Sequence, residues 1–161
     1  FGTPFSTKIF PILKMLNCFS IIDQTYNKNI KDIISLTYDQ RFIRRKKVKS
    51  DNGIEFLVNL PETKSLNPGQ AFELDNLDLI KVLAKVEDLL EIKGNNLMQL
   101  IWHIGNRHIP CQIEKDRVLI QFDKVIGDMI LRLGGKINQV KETFNPEGGA
   151  YGMGRTHGHK H

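Results

Sequence analysis

From about residue 32 the chain runs in short apolar and polar alternations broken by turn residues. IISLTYDQ (33–40) is apolar and β-branched, and RFIRRKKVK (41–49) is a second strand candidate. SDNG (50–53) sets Asp and Asn ahead of Gly53, a turn signal, and IEFLVNL (54–60) then alternates until Pro61, where the strand is expected to stop. Pro68-Gly69 suits the central pair of a type II turn. LDLIKVLAKVEDLLEIK (77–93) fits helix or strand. Recurring valine and isoleucine favour strands, and no helix is needed before residue 94.

At Gly94 the period changes. Leu97, Leu100, Ile101 and Ile104 fall at i, i+3, i+4, i+7, the apolar stripe of a helix, with Asn95 or Asn96 as cap and Gly105-Asn106 as stop. IPCQIEKDRVLIQFD (109–123) reads as two strands around a turn at Glu114–Arg117. KVIGDMILRLGG (124–135) predicts a second helix capped by Asp123, with Val125, Met129 and Leu133 on one side and Gly134-Gly135 at its end. KINQVKETF (136–144) is a final strand. The second half therefore spells β-α-β-β-α-β, the ferredoxin-like order. The expected class is α+β: a small all-β domain over 20–88, a ferredoxin-like domain over 89–145, and a flexible Gly/His tail over 146–161. Residues 1–19 are set aside as leader or expression-derived sequence, with Met15 as the expected natural start.

Composition narrows the classes. The chain has 161 residues, 40% hydrophobic and 25% charged, an ordinary globular make-up. Its net charge of +5 is spread along the chain except for one run, Arg44–Lys47. Cys18 and Cys111 form no CxxC pair, which argues against a zinc ribbon or a disulfide framework and fits a reducing cytosol. No apolar stretch is long enough to cross a bilayer. The expected location is cytoplasmic.

The candidate chemistry lies in the histidines. All 5 fall after residue 102: His103, His108, His157, His159 and His161. His103 and His108 lie about 140° apart on an ideal helix, so one regular helix cannot aim both at a single ion. Local hydrogen bonding explains His103, and capping or packing explains His108, unless symmetry brings a second imidazole alongside. In extended chain, His157, His159 and His161 project to one side, and the glycines let the segment wrap around an ion. Imidazole suits nickel, copper and zinc, and no nearby thiolate favours zinc. The competing explanation of the tail is a remnant of an affinity tag. No nucleophile elbow, P-loop, GxGxxG or HExxH is present, so an enzyme is not expected.

Three stretches carry a family resemblance. HIGNRHIP (103–110) with the text through residue 131, FNPEGGAYG (144–152), and LTYDQRFIRRKKVKSDNGIEFLVNLP (36–61) together resemble the UreE family of urease accessory proteins. The likeness covers about residues 20–161. It implies an N-terminal β domain that binds peptide or partner, a ferredoxin-like metal-binding domain, and a homodimer joined through that second domain. It also implies that His108 meets its symmetry mate and holds one Ni(II) between subunits, that His157, His159 and His161 add ligands, and that His103 is an accessory ligand. Zn(II) and Cu(II) are the expected competitors in vitro. The implied function is nickel delivery to the urease apoenzyme, with the GTPase UreG and the other accessory proteins as partners. The tail is shorter in histidine than in many relatives, and Cys111 stands where an aliphatic residue is usual. The rival class is a β-domain module that binds a protein or nucleic acid through the basic 44–49 stretch, with a passive tail.

Overall fold

The alternating runs of the first half become one mixed sheet. In the computed structural model, which describes Gly2 and residues 14–149, β1 (Leu16–Ile22), β2 (Asp32–Leu36), β3 (Phe42–Lys49), β4 (Glu55–Ser65), β5 (Ala71–Leu74) and β6 (Leu79–Ala84) form it in the order β2-β6-β5-β1-β4-β3. Its inner face is the first core, where Phe56 and Phe72 meet edge-on at 5.3 Å among Ile34, Val58, Leu60, Ile80 and Val82. Each such burial stabilises by roughly 1.5–3 kcal/mol.

Two expectations fail here. The strand β1 begins inside the stretch set aside as leader: Leu16 to Cys18 pair in parallel with Phe56 to Val58, and Ser20 to Ile22 pair with β5. Its apolar run does not alternate and has no turn residue to announce it, so periodicity could not isolate it. Strand β4 also runs through Pro61. Proline has no N–H to donate to a ladder, but the β3–β4 register jumps between Ile43↔Lys64 and Arg45↔Asn59, and Pro61 lies in the looped-out stretch where no ladder donor is required.

The turns behave as read. Gly69 at φ 97° takes the left-handed position, and Gln70 N–H donates to Asn67 O at 3.2 Å. The SDNG turn is tied to β2 through Asp32, whose carboxylate accepts from Ser50 Oγ, Asn52 Nδ2 and the N–H of Asn52 and Ile33.

The second half folds as β7 (Val86–Lys93), α1 (Leu97–Asn106), β8 (Cys111–Ile113), β9 (Val118–Gln121), α2 (Lys124–Arg132) and β10 (Lys136–Thr143), with antiparallel sheet order β10-β7-β9-β8. The expected β-α-β-β-α-β order is present, although β7 starts ahead of the boundary drawn after residue 88. Both helices cover one face, where Leu100, Ile104 and Ile130 close on Leu90, Ile92, Val118 and Ile120. On α2 the buried stripe is Ile126, Met129, Ile130 and Leu133, while Val125, expected inside, is 75% exposed. A Cβ at Gly135 would stand 2.6 Å from Ile130 Cγ2 and 2.8 Å from Leu100 Cδ1, so only glycine fits between the helices.

The sheet's other face meets the first domain. Phe144, fully buried, lies with Leu89 and Leu119 under Tyr38, ring to ring at 5.4 Å. Arg41, 2% exposed, donates to Leu36 O within its own domain and to Phe144 O and Asn145 Oδ1 across the joint. Tyr38 N–H donates to Glu87 Oε2 at 2.8 Å, and Gln121 Nε2 donates to Asp39 Oδ2 at 3.1 Å.

Candidate metal centre

The centre is organised by how α1 ends. Leu100 and Ile104 anchor the helix in the core, which turns Met98 and Trp102, four residues apart, outward at 83% and 64% exposure. Asn96 holds the N-cap position but makes no side-chain cap; its Nδ2 donates instead to Leu133 O at 2.9 Å, tying the start of α1 to the end of α2.

At the other end Gly105-Asn106 is not the stop, since both residues are helical. The stop is a Schellman motif one residue later. His108 N–H donates to Gly105 O at 3.0 Å and Ile109 N–H to Ile104 O at 3.4 Å, which requires His108 to be left-handed, at φ 57°. Helix α2 ends in the same motif: Gly134 N–H to Leu131 O at 3.1 Å, Gly135 N–H to Ile130 O at 2.9 Å, and Gly134 at φ 85°. Glycine fills the position in one helix and histidine in the other. A β-carbon in that region is disfavoured by roughly 1–2 kcal/mol, so the imidazole occupies a position that helix stability alone would give to glycine.

His108 is exposed there, past the helix. His103 stays on the helix, half-buried, its ring 5.0 Å from Trp102 and edge-on to it, while its carbonyl accepts from Arg107 Nη1 at 3.0 Å. His157, His159 and His161 lie outside the described residues. Among the described residues no three His, Cys, Asp or Glu side chains stand together as a ligand set. Cys111 offers little as a ligand: burial, then the negative charge of Glu147, pushes its thiol up from the ordinary value. Among the described residues, one chain supplies one exposed imidazole at this point, and a tight site needs ligands beyond them.

The root of the tail leads back to this place. Asn145 N–H donates to Gln112 Oε1 at 2.8 Å and Glu147 N–H to Cys111 O at 2.9 Å, so the chain leaves along the free edge of β8, running antiparallel toward His108. Sequence reasoning assigned no role to Gln112 or Arg41. A glutamine and an arginine with distant partners leave no periodic trace.

The basic run Arg44–Lys47 lies exposed on β3, an edge strand. Arg44 Nη2 donates to Pro61 O at 3.1 Å, Arg45 Nε donates to Asn59 Oδ1 at 3.1 Å, and Lys47 is 3.3 Å from Glu55. Charges on such an edge keep other strands from pairing with it. No helix among the described residues is long and apolar enough to cross a membrane.

Comparison with known proteins bears on both halves. Residues 20–85 match the model of the UreE urease accessory protein N-terminal domain, and residues 87–161 match that of its C-terminal domain. The chain is 54% identical over 130 residues to the urease accessory protein UreE of Ruegeria pomeroyi, covering 81% of this chain and 87% of that one. It is 49% identical over 130 residues to that of Rhodobacter capsulatus, covering 81% and 83%. It is 34% identical over 152 residues to that of Beijerinckia indica, covering 91% and 87%.

Proposed function

The chain belongs to the UreE family of urease accessory proteins, and from that premise we propose that it binds Ni(II) through imidazoles and delivers it to the urease apoprotein. Membership makes it an accessory protein of urease maturation and not an enzyme. In the proposed mechanism the protein acts in the cytoplasm as a homodimer. The exposed face of α1 around Met98 and Trp102 supplies the apolar contact. His108 and its copy on the partner chain hold one Ni(II) at the two-fold axis. His157, His159 and His161 complete the coordination and exchange ligands with the recipient, and His103 serves as an accessory ligand. The β domain docks the partner proteins, UreG among them.

The observation that carries this reading is the exposed His108 in a left-handed cap that favours glycine, beside an uncovered apolar stripe and with the tail root heading toward it. Neutral imidazole nitrogen suits Ni(II). Protonated imidazole does not bind metal, so nickel affinity should weaken in acid. Calorimetric nickel titration of the full chain, His108→Ala and a chain ending at Gly154 tests the assignment. Loss of the tight event in His108→Ala, with the truncation only weakening it, is expected. Unchanged binding in His108→Ala, with all binding lost on truncation, would put the metal on the tail alone.

A further inference from the structure

Strand β3 is an edge of the first sheet, and among the described residues no strand pairs with its outer side. Its sequence, FIRRKKVK, is mostly cationic, and the register sorts the charges by face. Lys46 pairs with Val58 and Val48 with Phe56, both buried in the core, so these two lie on the core side. Arg45, Lys47 and Lys49, opposite Asn59, Leu57 and Glu55, fall on the outer face. They stand in a row at intervals of about 7 Å. That is inside the screening length of about 8 Å at physiological salt, so the cations repel one another. Among the described residues only Glu55 answers them, 3.3 Å from Lys47 in an exposed pair. Arg45 donates to the neutral Asn59 Oδ1. Keeping stray strands off an edge takes less than this: β2, the opposite edge of the same sheet, reads DIISL and carries no cation.

We propose that β3 docks an acidic strand of a partner protein, which adds to the sheet edge and sets alternate carboxylates against Arg45, Lys47 and Lys49. The proposal gives a surface to the docking role proposed for the β domain and rests on that role, but on no nickel ligand. An extended chain with an acid at every second position repeats at the same interval of about 7 Å as the row. The backbone N–H and C=O groups on the free side of β3 can continue the ladder into it. A nucleic acid has the charge but cannot form that ladder, and no aromatic side chain stands among residues 44–49 to stack a base. Like charges set opposite each other oppose pairing, so the row refuses basic strands and a second copy of itself while it selects an acidic one.

The test is fluorescence anisotropy of labelled probes against the full chain, with EDTA present to keep nickel out of the measurement. The probes are a short peptide alternating glutamate and threonine, its lysine–threonine counterpart, and single-stranded oligo-dT. Wild type should bind the glutamate peptide best, and added salt should weaken that binding. Lys47→Glu with Lys49→Glu should weaken it about tenfold and raise affinity for the lysine peptide. Lys47→Gln with Lys49→Gln removes the charges without setting new acids beside Glu55. It should weaken binding about threefold, and it carries the test if the reversed variant folds poorly. If the two peptides bind wild type equally, or the substitutions leave their order unchanged, extended chain docks elsewhere on the β domain; the proposal is overturned and the docking role stands. Oligo-dT binding as tightly as the glutamate peptide would overturn it as well, since charge alone would then decide. If no probe binds, the β domain takes up no extended chain, and the proposal falls together with the docking role beneath it.

Discussion

Replacing His108 by glycine should make the apo-protein more stable while it removes the proposed nickel ligand. The residue takes φ 57° as the left-handed residue of a Schellman motif whose two hydrogen bonds are made. An L-residue there gives up roughly 1–2 kcal/mol. Glycine recovers this, less about 0.4–1 kcal/mol for its freer unfolded chain. Because any substitution also deletes whatever the imidazole touches, the fair reference is His108→Ala, which loses the ring but keeps the β-carbon. His108→Gly should exceed His108→Ala by about 0.5–1 kcal/mol, or about 1–4 °C in melting midpoint for a chain of this size. The mirror experiment sits on α2: Gly134→Ala should lose a similar amount, since its new Cβ would meet nothing within 4 Å and only the backbone angle is penalised. Thermal unfolding with EDTA present, alongside nickel titration, reads both quantities. Equal stability of the glycine and alanine variants at position 108 would refute the claim that this histidine is held at a structural penalty.

Two further outcomes follow from the electrostatics. Hydrogen bonds from Ser50, then Asn52 and the backbone, hold the Asp32 carboxyl at about 2, below the ordinary carboxylate value. A depressed folded value means its contribution is complete above pH 4 or so and is lost as pH falls toward 2. Asp32→Asn should therefore flatten the urea-midpoint curve between pH 4 and 2, and an unchanged slope would remove Asp32 from the acid response. Arg117 joins Glu91 at 2.8 Å, Glu142 at 2.8 Å and Glu114 at 3.1 Å, and holds the Glu142 carboxyl below its usual range. Arg117→Ala should cost on the order of 1 kcal/mol at pH 7 in this partly exposed network. The deficit should shrink in acid as Glu142 becomes protonated; a deficit constant with pH would point to lost packing instead.

Much of the second domain was legible because its helices and strands bury one face each, and burial imposes a period. Leu97, Leu100, Ile101 and Ile104 marked α1, and Asp123 capped α2 as read, accepting from Ile126 N–H at 3.0 Å. What escaped depends on register or on distant partners. Strand β1 pairs with strands far along the chain, and Pro61 is tolerated only because of a register jump that no local signal announces. Val125 misled because an apolar residue one step outside the buried stripe looks the same in sequence as one inside it. At the candidate centre the residue types pointed to His103 and His108, but the left-handed backbone of His108 follows from hydrogen bonds that form only once α1 is seated. The contacts of Arg41 and Gln112 with Phe144 and Asn145 had no sequence signature at all.

The passage between the two sheets is a single residue. Only Lys85 separates β6 from β7, and its N–H is already engaged with Leu36 O at 2.9 Å. The molecule has two cores but no tether between them that a protease could enter or a force could extend. Separating the halves at this point would strip Tyr38 and Arg41 from Phe144 and leave Leu89 and Leu119 facing water. The two cores should therefore melt together, so that heat absorption shows one calorimetric transition where the two family domains would suggest two.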